Sequence, residues 1–316
     1  MARKRNGSKS EMLELNKIYN MDCLEGLKQL DDNSINCCVT SPPYWGLRDY
    51  GVEGQIGLEK TPEEYVSKMV EIFREVKRVL RKDGTLWLNL GDSYSGNCSR
   101  TSTGRAGLGN PREGVFTKTG KGIKPKDLVG IPWMVAFALR ADGWYLRSDI
   151  IWHKSNPMPE SVTDRPTKAH EYIFLLTKKR KYFYDREAIR EPAKPWNAGR
   201  MSAPKMGKHR PIDPYGQQTK KVYDVIKGAN RRTVWTIATQ PYPGAHFATF
   251  PPDLIKPCIL AGCPEGGIVL DPFMGSGTTA VVATMYQRNF IGFELNPKYC
   301  KMAEKRLGSL KSCTRN

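Results

Sequence analysis

Residues Gly267–Ala280 read GIVLDPFMGSGTTA, and this stretch decides the fold class. The apolar run at its start predicts a short buried strand, and a glycine-rich turn then leads into a helical pattern over residues 276–287. Open α/β sheets bind ligands at such turns, where a strand's carboxyl end meets the amino end of a helix. We therefore expect an α/β protein with a ligand site in this turn.

Three ligands could occupy the turn. A Walker-type phosphate loop requires a lysine after the glycines, and none follows Gly277. A dinucleotide site is formally matched by Gly275, Gly277 and Ala280, with Glu294 as the distant acid. Asp271 favours S-adenosylmethionine, because a carboxylate would repel a pyrophosphate but attract the methionine ammonium, directly or through water. Glu294 would then accept the ribose hydroxyls. A turn that serves only tight packing is the structural alternative.

A second motif follows the apolar run Ile35–Thr40, which predicts another buried strand. Proline cannot donate a ladder hydrogen bond, so the strand must end before Pro42 and Pro43. The fixed φ of both prolines makes a stiff turn that presents Ser41 Oγ and the Pro42 carbonyl as adjacent acceptors, with Tyr44 ready to stack on a base. An exocyclic amine has two N–H donors for such a turn. We therefore expect Ser41 to orient an amine for methyl transfer rather than to act as a nucleophile.

The rest of the chain alternates predicted helices and strands. Thr61 and Glu64 form a capping box before a helix that we expect to end at Asp83-Gly84. Further strands are expected at 85–90, 146–152, 171–177 and 289–293, and further helices at 131–140, 251–261 and from 297 onward. This order predicts one α/β domain with a mixed, mostly parallel sheet.

Positive charge is concentrated in one segment. The chain has 316 residues and a formal charge of +18, and within residues 178–232 we count 16 basic and 5 acidic residues. A merely soluble surface would mix the two signs, so this excess favours a nucleic acid as the partner. The candidate phosphate contacts are Lys178, Lys179, Arg180, Lys181, Arg200, Lys208, Arg210, Lys220, Lys221, Arg231 and Arg232.

Membrane and metal proteins are not indicated. No run approaches the roughly 18 apolar residues of a membrane span, and Met1–Ser10 lacks the apolar core of a signal peptide. We expect a soluble cytoplasmic protein with no membrane partner. The eight cysteines include no C-x-x-C pair and only four histidines are present, so we expect neither a metal nor disulfides.

The two motifs, taken in their order, resemble a known family. Thr40–Tyr44 (TSPPY), followed far downstream by Asp271–Thr279 (DPFMGSGTT), is similar to the permuted, β-class amino DNA methyltransferases of restriction–modification systems and phages. The resemblance spans residues 18–307. It implies a Rossmann-like S-adenosylmethionine-dependent methyltransferase fold with circularly permuted motif order and a basic inserted recognition region. It also implies double-stranded DNA as substrate, base flipping and a possible companion restriction endonuclease.

The resemblance also assigns roles to residues. It gives Ser41, Pro42, Pro43 and Tyr44 to the catalytic turn, and serine in first place resembles the cytosine-N4 subgroup. Adenine-N6 members usually carry Asp or Asn there, so adenine N6 is the alternative. Residues 151–157 (IWHKSNP) resemble a further segment of the pocket wall. The implied cofactor-binding residues are Asp22, at the cofactor's adenine, and Phe250, Asp271, Pro272, Phe273, Gly275, Ser276, Gly277, Thr278 and Glu294.

The expected organisation divides the chain into five parts. They are a basic flexible tail at 1–17, a catalytic half at 18–177 with a mobile loop at 95–126, a target-recognition insert at 178–240, a cofactor-binding half at 241–307 and a flexible tail at 308–316.

Other functions explain less of the sequence. Cytosine-C5 methylation needs a thiolate, but Pro257-Cys258 falls inside a predicted helix, where a packed thiol is expected. A nuclease built on Asp253 and Lys256 lacks a correctly spaced second acid. A DNA-binding protein without catalysis leaves Ser41–Tyr44 and Asp271 unexplained. RNA in place of DNA stays open.

Overall fold

The computed structural model describes residues 13–95, 123–192, 228–240 and 250–313. Its strands are β1 Lys17–Asn20, β2 Ile35–Thr40, β3 Leu80–Leu90, β4 Tyr145–His153, β5 His170–Thr177, β6 Val234–Thr236, β7 Ile268–Asp271 and β8 Asn289–Glu294. Its α-helices are α1 Cys23–Lys28, α2 Pro62–Val79, α3 Ile131–Ala141, α4 Pro252–Gly262, α5 Thr278–Met285 and α6 Pro297–Cys313, and a short 3-10 helix spans Glu187–Ile189.

The described strands form one sheet in the order β1-β8-β7-β2-β3-β5-β4-β6. Within it, β5 pairs antiparallel with both of its neighbours, and every other pairing is parallel. This mixed, mostly parallel α/β architecture confirms the expected fold class. Because β5 alone is reversed among these strands, its amino end lies at the same edge of the sheet as the carboxyl ends of the others. We call this edge the carboxyl edge.

Strand pairing joins segments that are far apart in the chain. β7 pairs directly with β2, with Cys38 opposite Leu270. β1 pairs with β8, with Asn20 opposite Glu294. The segments that follow these four strands therefore begin side by side at the carboxyl edge.

Helix α2 covers the sheet with a buried face that includes Tyr65, Met69 and Phe73, all 0% exposed. Thr61 Oγ1 accepts a hydrogen bond from the Glu64 amide at 3.2 Å, which confirms the predicted cap.

The predicted end of α2 at Asp83-Gly84 is wrong. The helix ends at Val79, and the chain enters β3 at once with Leu80. The pairing of β2 with β3 is irregular between Ile35 and Cys37, where Ile35 faces Leu80 but Cys37 faces Thr85. This irregularity accommodates the extra residues, so Asp83 and Gly84 belong to the strand.

The chain divides into two compact units, Met1–Tyr184 with Thr233–Asn316, and Asp185–Arg232. The second unit is thus shorter than the expected insert at 178–240. Strand β6 lies inside that range but pairs with β4 in the main sheet, with Trp235 opposite Trp152. Within the second unit, Glu191 and Ala229 form an antiparallel bridge.

The structure also differs from expectation near both termini. Strand β1 begins at Lys17, the last residue of the expected tail at 1–17, and residues 1–12 lie outside the described part. Helix α6 continues to Cys313, through most of the expected tail at 308–316. An isolated glycine costs a helix only about 1 kcal/mol, and no proline follows Gly308, so the helix does not stop there.

The long loop expected at 95–126 has a fixed base. Tyr94 and Leu128 form an antiparallel bridge, and the Ser95 amide donates to the Asp127 carbonyl at 2.8 Å. Residues 96–122 lie outside the described part.

Among the described residues, no helix is both long and apolar enough to cross a membrane. The same residues contain no group of three or more His, Cys, Asp or Glu side chains that could hold a metal ion.

Candidate active site

The two motifs are joined by a hydrogen bond. Thr40, the last residue of β2, donates from Oγ1 to Asp271 Oδ1 at 2.6 Å, and Asp271 is the last residue of β7. Both side chains are buried. The Ser-Pro-Pro-Tyr turn and the glycine-rich turn therefore start from adjacent, directly bonded strand ends.

The Asp271 carboxylate is hydrogen-bonded both to the glycine-rich turn and to the helix that follows it. Its Oδ1 also accepts from the Phe273 amide at 3.0 Å, and its Oδ2 accepts from Thr279 Oγ1 at 2.6 Å. Burial raises the pKa of this carboxyl to about 6, although the three hydrogen bonds act in the opposite direction. The carboxylate thus ties both strand ends to the first turn of α5.

Two glycines give the turn its shape. Gly275 and Gly277 have φ values of +53° and +82°, which L side chains rarely adopt. A Cβ on Gly277 would lie 2.7 Å from the Ala303 Cβ, so this glycine allows α6 to pack closely. A Cβ on Gly275 would point into open space, with the Phe273 carbonyl oxygen at 3.9 Å as its nearest neighbour. The side of the turn at Gly275 is therefore open to a ligand.

Ser276, the next residue, and Glu294, at the end of β8, add polar groups to this turn. Ser276 Oγ is buried and has no hydrogen-bond partner among the described atoms. Glu294 Oε2 accepts from the Gly275 amide at 2.8 Å, and its Oε1 accepts from the Asn296 amide at 2.8 Å. Burial raises the pKa of Glu294. A turn with two acidic side chains and a hydroxyl without a partner fits a ligand with hydroxyl and ammonium groups better than a pyrophosphate, so the site fits S-adenosylmethionine.

Asp22 follows strand β1 at the carboxyl edge of the sheet. It caps α1, with Oδ1 accepting from the amides of Leu24 at 2.9 Å and Glu25 at 3.2 Å. The preceding residue, Met21, donates its amide to the Glu294 carbonyl at 3.2 Å. The backbone one residue before Asp22 is therefore bonded to Glu294, as a cofactor contacted by both acidic residues would require.

The remaining predicted cofactor residues differ in position. Pro272 and Phe273 continue the turn, and Phe273 packs against the main core. Thr278 is buried and its Oγ1 accepts from Arg306 at 2.9 Å. Phe250 is partly exposed and directly precedes the segment that starts α4, whereas residues 241–249 lie outside the described part.

The Ser-Pro-Pro-Tyr turn keeps two acceptors available. Tyr65 Oη donates to the Pro43 carbonyl at 2.8 Å and anchors the turn to α2. Ser41 Oγ donates to Tyr44 Oη at 3.5 Å, which leaves the Ser41 lone pairs unused. No donor among the described residues reaches the Pro42 carbonyl. Ser41 Oγ and the Pro42 oxygen therefore keep free lone pairs, and their action as a pair of acceptors for an amine stays a prediction.

The Tyr44 side chain is fixed by a hydrogen bond at its hydroxyl and by packing of its ring against Gly91. Its hydroxyl donates to Glu171 Oε2 at 2.6 Å, and burial together with the Glu171 charge raises its pKa well above the ordinary value. Its ring packs on Gly91, where a Cβ would lie 2.5 Å from Tyr44 Cε2. The stacking of Tyr44 on a base stays a prediction.

Sequence reasoning missed Asn89 and Glu171, two polar residues beside Tyr44. Asn89 Nδ2 donates to Glu171 Oε2 at 3.2 Å, and Lys154, from the segment that resembles a pocket wall, forms an ion pair with the same carboxylate. Asn89 interrupts the apolar run of β3 and Glu171 stands at the start of the apolar run of β5, which are the sequence signals that could have found them. Their proximity depends on the antiparallel pairing of β3 with β5.

The structure does not bring the first predicted DNA contacts to this site. Lys178 follows the carboxyl end of the reversed strand β5, so it lies at the edge opposite to the catalytic turn, and Lys179, Arg180 and Lys181 follow it. The Lys178 ammonium donates to Asn33 Oδ1 at 2.9 Å and to the carbonyls of Arg78 and Leu80 at 3.3 and 2.7 Å.

The other predicted DNA contacts belong to the second unit. Arg232 pairs there with Glu191, and Arg231 precedes it. The remaining members of the set lie outside the described part: Arg200, Lys208, Arg210, Lys220 and Lys221. Their contacts with DNA stay predictions.

The thiol considered for C5 chemistry is a core residue. Cys258 is 1% exposed on α4, and its Sγ donates weakly to the Leu254 carbonyl at 3.6 Å. A buried thiol in a helix matches the expected packing role.

Comparison with known proteins agrees with this geometry. The family model described as DNA methylase matches residues 35–305. The chain is 49% identical over 304 residues to the Type II methyltransferase M.Cfr9I of Citrobacter freundii, covering 95% of this chain and 90% of that protein.

Two solved structures share the fold. The cytosine-N4-specific PvuII DNA methyltransferase aligns with a TM-score of 0.61 and 19% identity, covering 91% of this chain and 84% of that one. M1.HpyAVI in complex with S-adenosylmethionine aligns with a TM-score of 0.51 and 20% identity, covering 92% and 98%.

Proposed function

The chain belongs to the DNA methylase family whose model it matches, and from that premise we propose that it methylates the exocyclic N4 of cytosine in double-stranded DNA. As a methyltransferase of this family, it takes the methyl group from S-adenosylmethionine. The observation that carries the proposal is the hydrogen bond that joins the two motifs, from Thr40 Oγ1 to Asp271 Oδ1 at 2.6 Å. It supports a single cleft in which the methyl donor and the amine approach each other.

The protein's own groups would hold the cofactor in defined places. We assign Asp22 and Glu294 to its adenosine end, where Glu294 would accept from the ribose hydroxyls. We assign Asp271, Gly275 and Ser276 to its methionine end, where the orphan Ser276 hydroxyl would gain a partner. When bound, S-adenosylmethionine supplies an electrophilic methyl group.

The Ser-Pro-Pro-Tyr turn would then orient the amine. The N4 lone pair of cytosine is delocalised into the ring, so the amine is a poor nucleophile. Ser41 Oγ and the Pro42 carbonyl would each accept one amino hydrogen, which directs the nitrogen lone pair out of the ring plane and toward the methyl group. As the nitrogen–carbon bond forms, the bond from sulfur to the methyl carbon breaks with its electron pair left on sulfur, and the methylated nitrogen releases one of its two hydrogens as a proton to solvent. A base paired in duplex DNA cannot reach this turn, so the cytosine must be flipped out.

Serine in the first position of the turn supports cytosine over adenine. Serine is the residue that the cytosine-N4 members of the resembling family usually carry at this position, and its hydroxyl is an uncharged acceptor. We assign target recognition to the second unit, Asp185–Arg232, because the positive charge is concentrated there. A companion restriction endonuclease is part of the proposal, because the relative in Citrobacter freundii is named a Type II methyltransferase.

Replacing Ser41 tests the mechanism. In Ser41→Ala we expect methyl transfer to fall by about 100-fold or more, the range typical of losing a group that orients the reacting atoms. The dissociation constant for S-adenosylmethionine should stay within about twofold, because Ser41 is assigned to the base and not to the cofactor. Radiolabelled methyl incorporation and equilibrium dialysis measure the two quantities.

Ser309→Ala is the matched control for this experiment. Ser309 Oγ donates to the Lys305 carbonyl on the exposed face of α6, so its replacement should leave both quantities unchanged. Wild-type turnover in Ser41→Ala would refute the assigned role.

A further inference from the structure

A directed chain of hydrogen bonds leads away from the catalytic turn. Ser41 Oγ donates to Tyr44 Oη at 3.5 Å, and Tyr44 Oη donates to Glu171 Oε2 at 2.6 Å. A serine hydroxyl can either donate or accept, and orienting an amine requires it to accept from the amine. The structure must therefore direct the Ser41 hydrogen elsewhere.

The acceptors around Tyr44 set the direction of this chain. Besides Glu171, the Tyr44 hydroxyl can donate to Asn89 Oδ1, which lies at 3.3 Å. A phenol has one hydrogen, and donating it to either acceptor leaves the phenol's lone pairs to accept from Ser41. The Ser41 hydrogen therefore has a defined acceptor within the protein.

Lys154 and Asn89 keep Glu171 in place as an acceptor. The Lys154 ammonium pairs with Glu171 Oε1, and Asn89 Nδ2 donates to Glu171 Oε2 at 3.2 Å. Asn89 is itself fixed, because Nδ2 also donates to the Tyr172 carbonyl at 3.0 Å. The side chains of Glu171 and Lys154 are only 13% and 22% exposed, so water competes little for these contacts.

We propose that Glu171 is a positioning residue for methyl transfer: it fixes the direction of the Ser41–Tyr44–Glu171 chain and so presents the Ser41 lone pairs to the amine. An ionised carboxylate can only accept, so it polarises the two hydroxyls in one direction and increases the negative charge on Ser41 Oγ. This inference rests on the proposed function and adds Glu171, which no sequence motif assigned.

Glu171→Gln tests the direction of the chain. A carboxamide can donate to Tyr44 Oη, which leaves the longer contact to Asn89 Oδ1, at 3.3 Å, as the competing acceptor for the Tyr44 hydrogen. Tyr44 can then donate to Ser41 and turn the Ser41 hydrogen toward the substrate. We expect the single-turnover rate of methyl transfer to fall about tenfold or more, with the KM for S-adenosylmethionine unchanged. Tyr44→Phe removes the middle of the chain and should reduce the rate comparably.

The double variant separates positioning from a structural role. If Glu171 acts through Tyr44, Glu171→Gln should cause no further loss in the Tyr44→Phe background. Rate losses that multiply in the double variant would overturn the proposal, as would an unchanged rate in Glu171→Gln or in Tyr44→Phe alone. Tyr44→Phe keeps the proposal testable if Glu171→Gln does not fold, because the chain runs through Tyr44.

Controls address folding and the identity of the base. Glu75→Gln removes a carboxylate that pairs with Arg78 on α2, and we expect it to leave the rate unchanged. Labelled methyl groups are counted whichever base receives them. A finding that adenine is the acceptor would therefore contradict the proposed function and leave the assignment of Glu171 intact.

Discussion

At Asp271, burial and hydrogen bonding act against each other. The side chain is 1% exposed and accepts three hydrogen bonds, yet its pKa is raised to about 6. Near neutral pH the carboxylate is mostly ionised, and its charge has no cationic partner among the described residues. A ligand ammonium at the glycine-rich turn would supply one.

Cofactor affinity should therefore depend on pH. Asp271 is protonated below about pH 6 and ionised above it, so binding of S-adenosylmethionine should strengthen as pH rises through this value. If only the ionised form attracts the ammonium, affinity at pH 5 should be about tenfold weaker than at pH 7.5. Calorimetric titration across this range measures the effect.

Asp271→Asn is the control for this dependence, since it keeps the shape and removes the charge. Its affinity should be weaker at pH 7.5 and nearly flat with pH. Because the pKa of Glu294 is also raised, any remaining slope would belong to that residue. A slope equal to that of the wild type would contradict the role of Asp271.

The position of residues that belong to a sequence motif could be predicted from the sequence. Ser41, Asp271 and Glu294 follow predicted strands, and elementary α/β topology brings such residues to one edge of the sheet. Glu171 could not be placed in this way, because its position depends on the direction of β5. Local sequence does not encode whether a strand is parallel or antiparallel to a distant partner.

At the level of elements, the glycine-rich turn leads into α5 through two glycines, Gly275 and Gly277, that have different surroundings. Gly277 lies against Ala303 of α6, whereas Gly275 faces open space. The two positions share left-handed backbone and differ in their surroundings.

Alanine at these glycines should separate stability from binding. Gly277→Ala should lose stability by more than the roughly 1–2 kcal/mol of left-handed backbone strain, because its Cβ would also meet Ala303. Gly275→Ala should lose only the strain term but should weaken S-adenosylmethionine binding more than about tenfold, because its Cβ would occupy the ligand's space. Chemical denaturation and calorimetry measure the two effects. Equal loss of stability in both variants with intact binding in Gly275→Ala would contradict this division.

Element prediction succeeded where an apolar run or a capped helical period marked the element, and failed where neither was present. Helix α2 followed from periodicity and capping, and strand β2 followed from its apolar run and the prolines after it. Strands β1 and β6 have 4 and 3 residues, and each has a single buried residue, so neither shows the apolar run that revealed the comparably short β7. The end of α2 was missed because the irregular pairing at Ile35 is a tertiary feature.

On the scale of the whole molecule, the two edges of the sheet carry different groups of the predicted functional residues. The carboxyl edge carries Ser41, Asp271 and Glu294, and the opposite edge carries Lys178 in contact with the end of α2. Charge alone had grouped Lys178 with the phosphate contacts. The reversed direction of β5 places Lys178 at the edge opposite to Ser41, and its contact with phosphate stays a prediction.

The salt dependence of DNA binding should distinguish the lysines assigned to target recognition from a lysine at the opposite edge of the sheet. Substituting Lys220 and Lys221 by alanine should reduce the slope of log affinity against log salt concentration by roughly 0.9 for each phosphate that is no longer neutralised. Lys179→Ala, an exposed lysine at the opposite edge, should leave the slope unchanged. Fluorescence anisotropy over a salt series provides the slopes, and a larger change for Lys179→Ala would contradict the assignment.

The identity of the methylated base tests the proposed chemistry most directly. DNA from cells that express the protein can be digested to nucleosides and analysed by mass spectrometry, with the Ser41→Ala variant as the reference. We predict N4-methylcytosine in the wild-type sample and its near absence in the variant. N6-methyladenine or C5-methylcytosine as the new nucleoside, or no new methylated nucleoside at all, would contradict cytosine-N4 methylation by this protein.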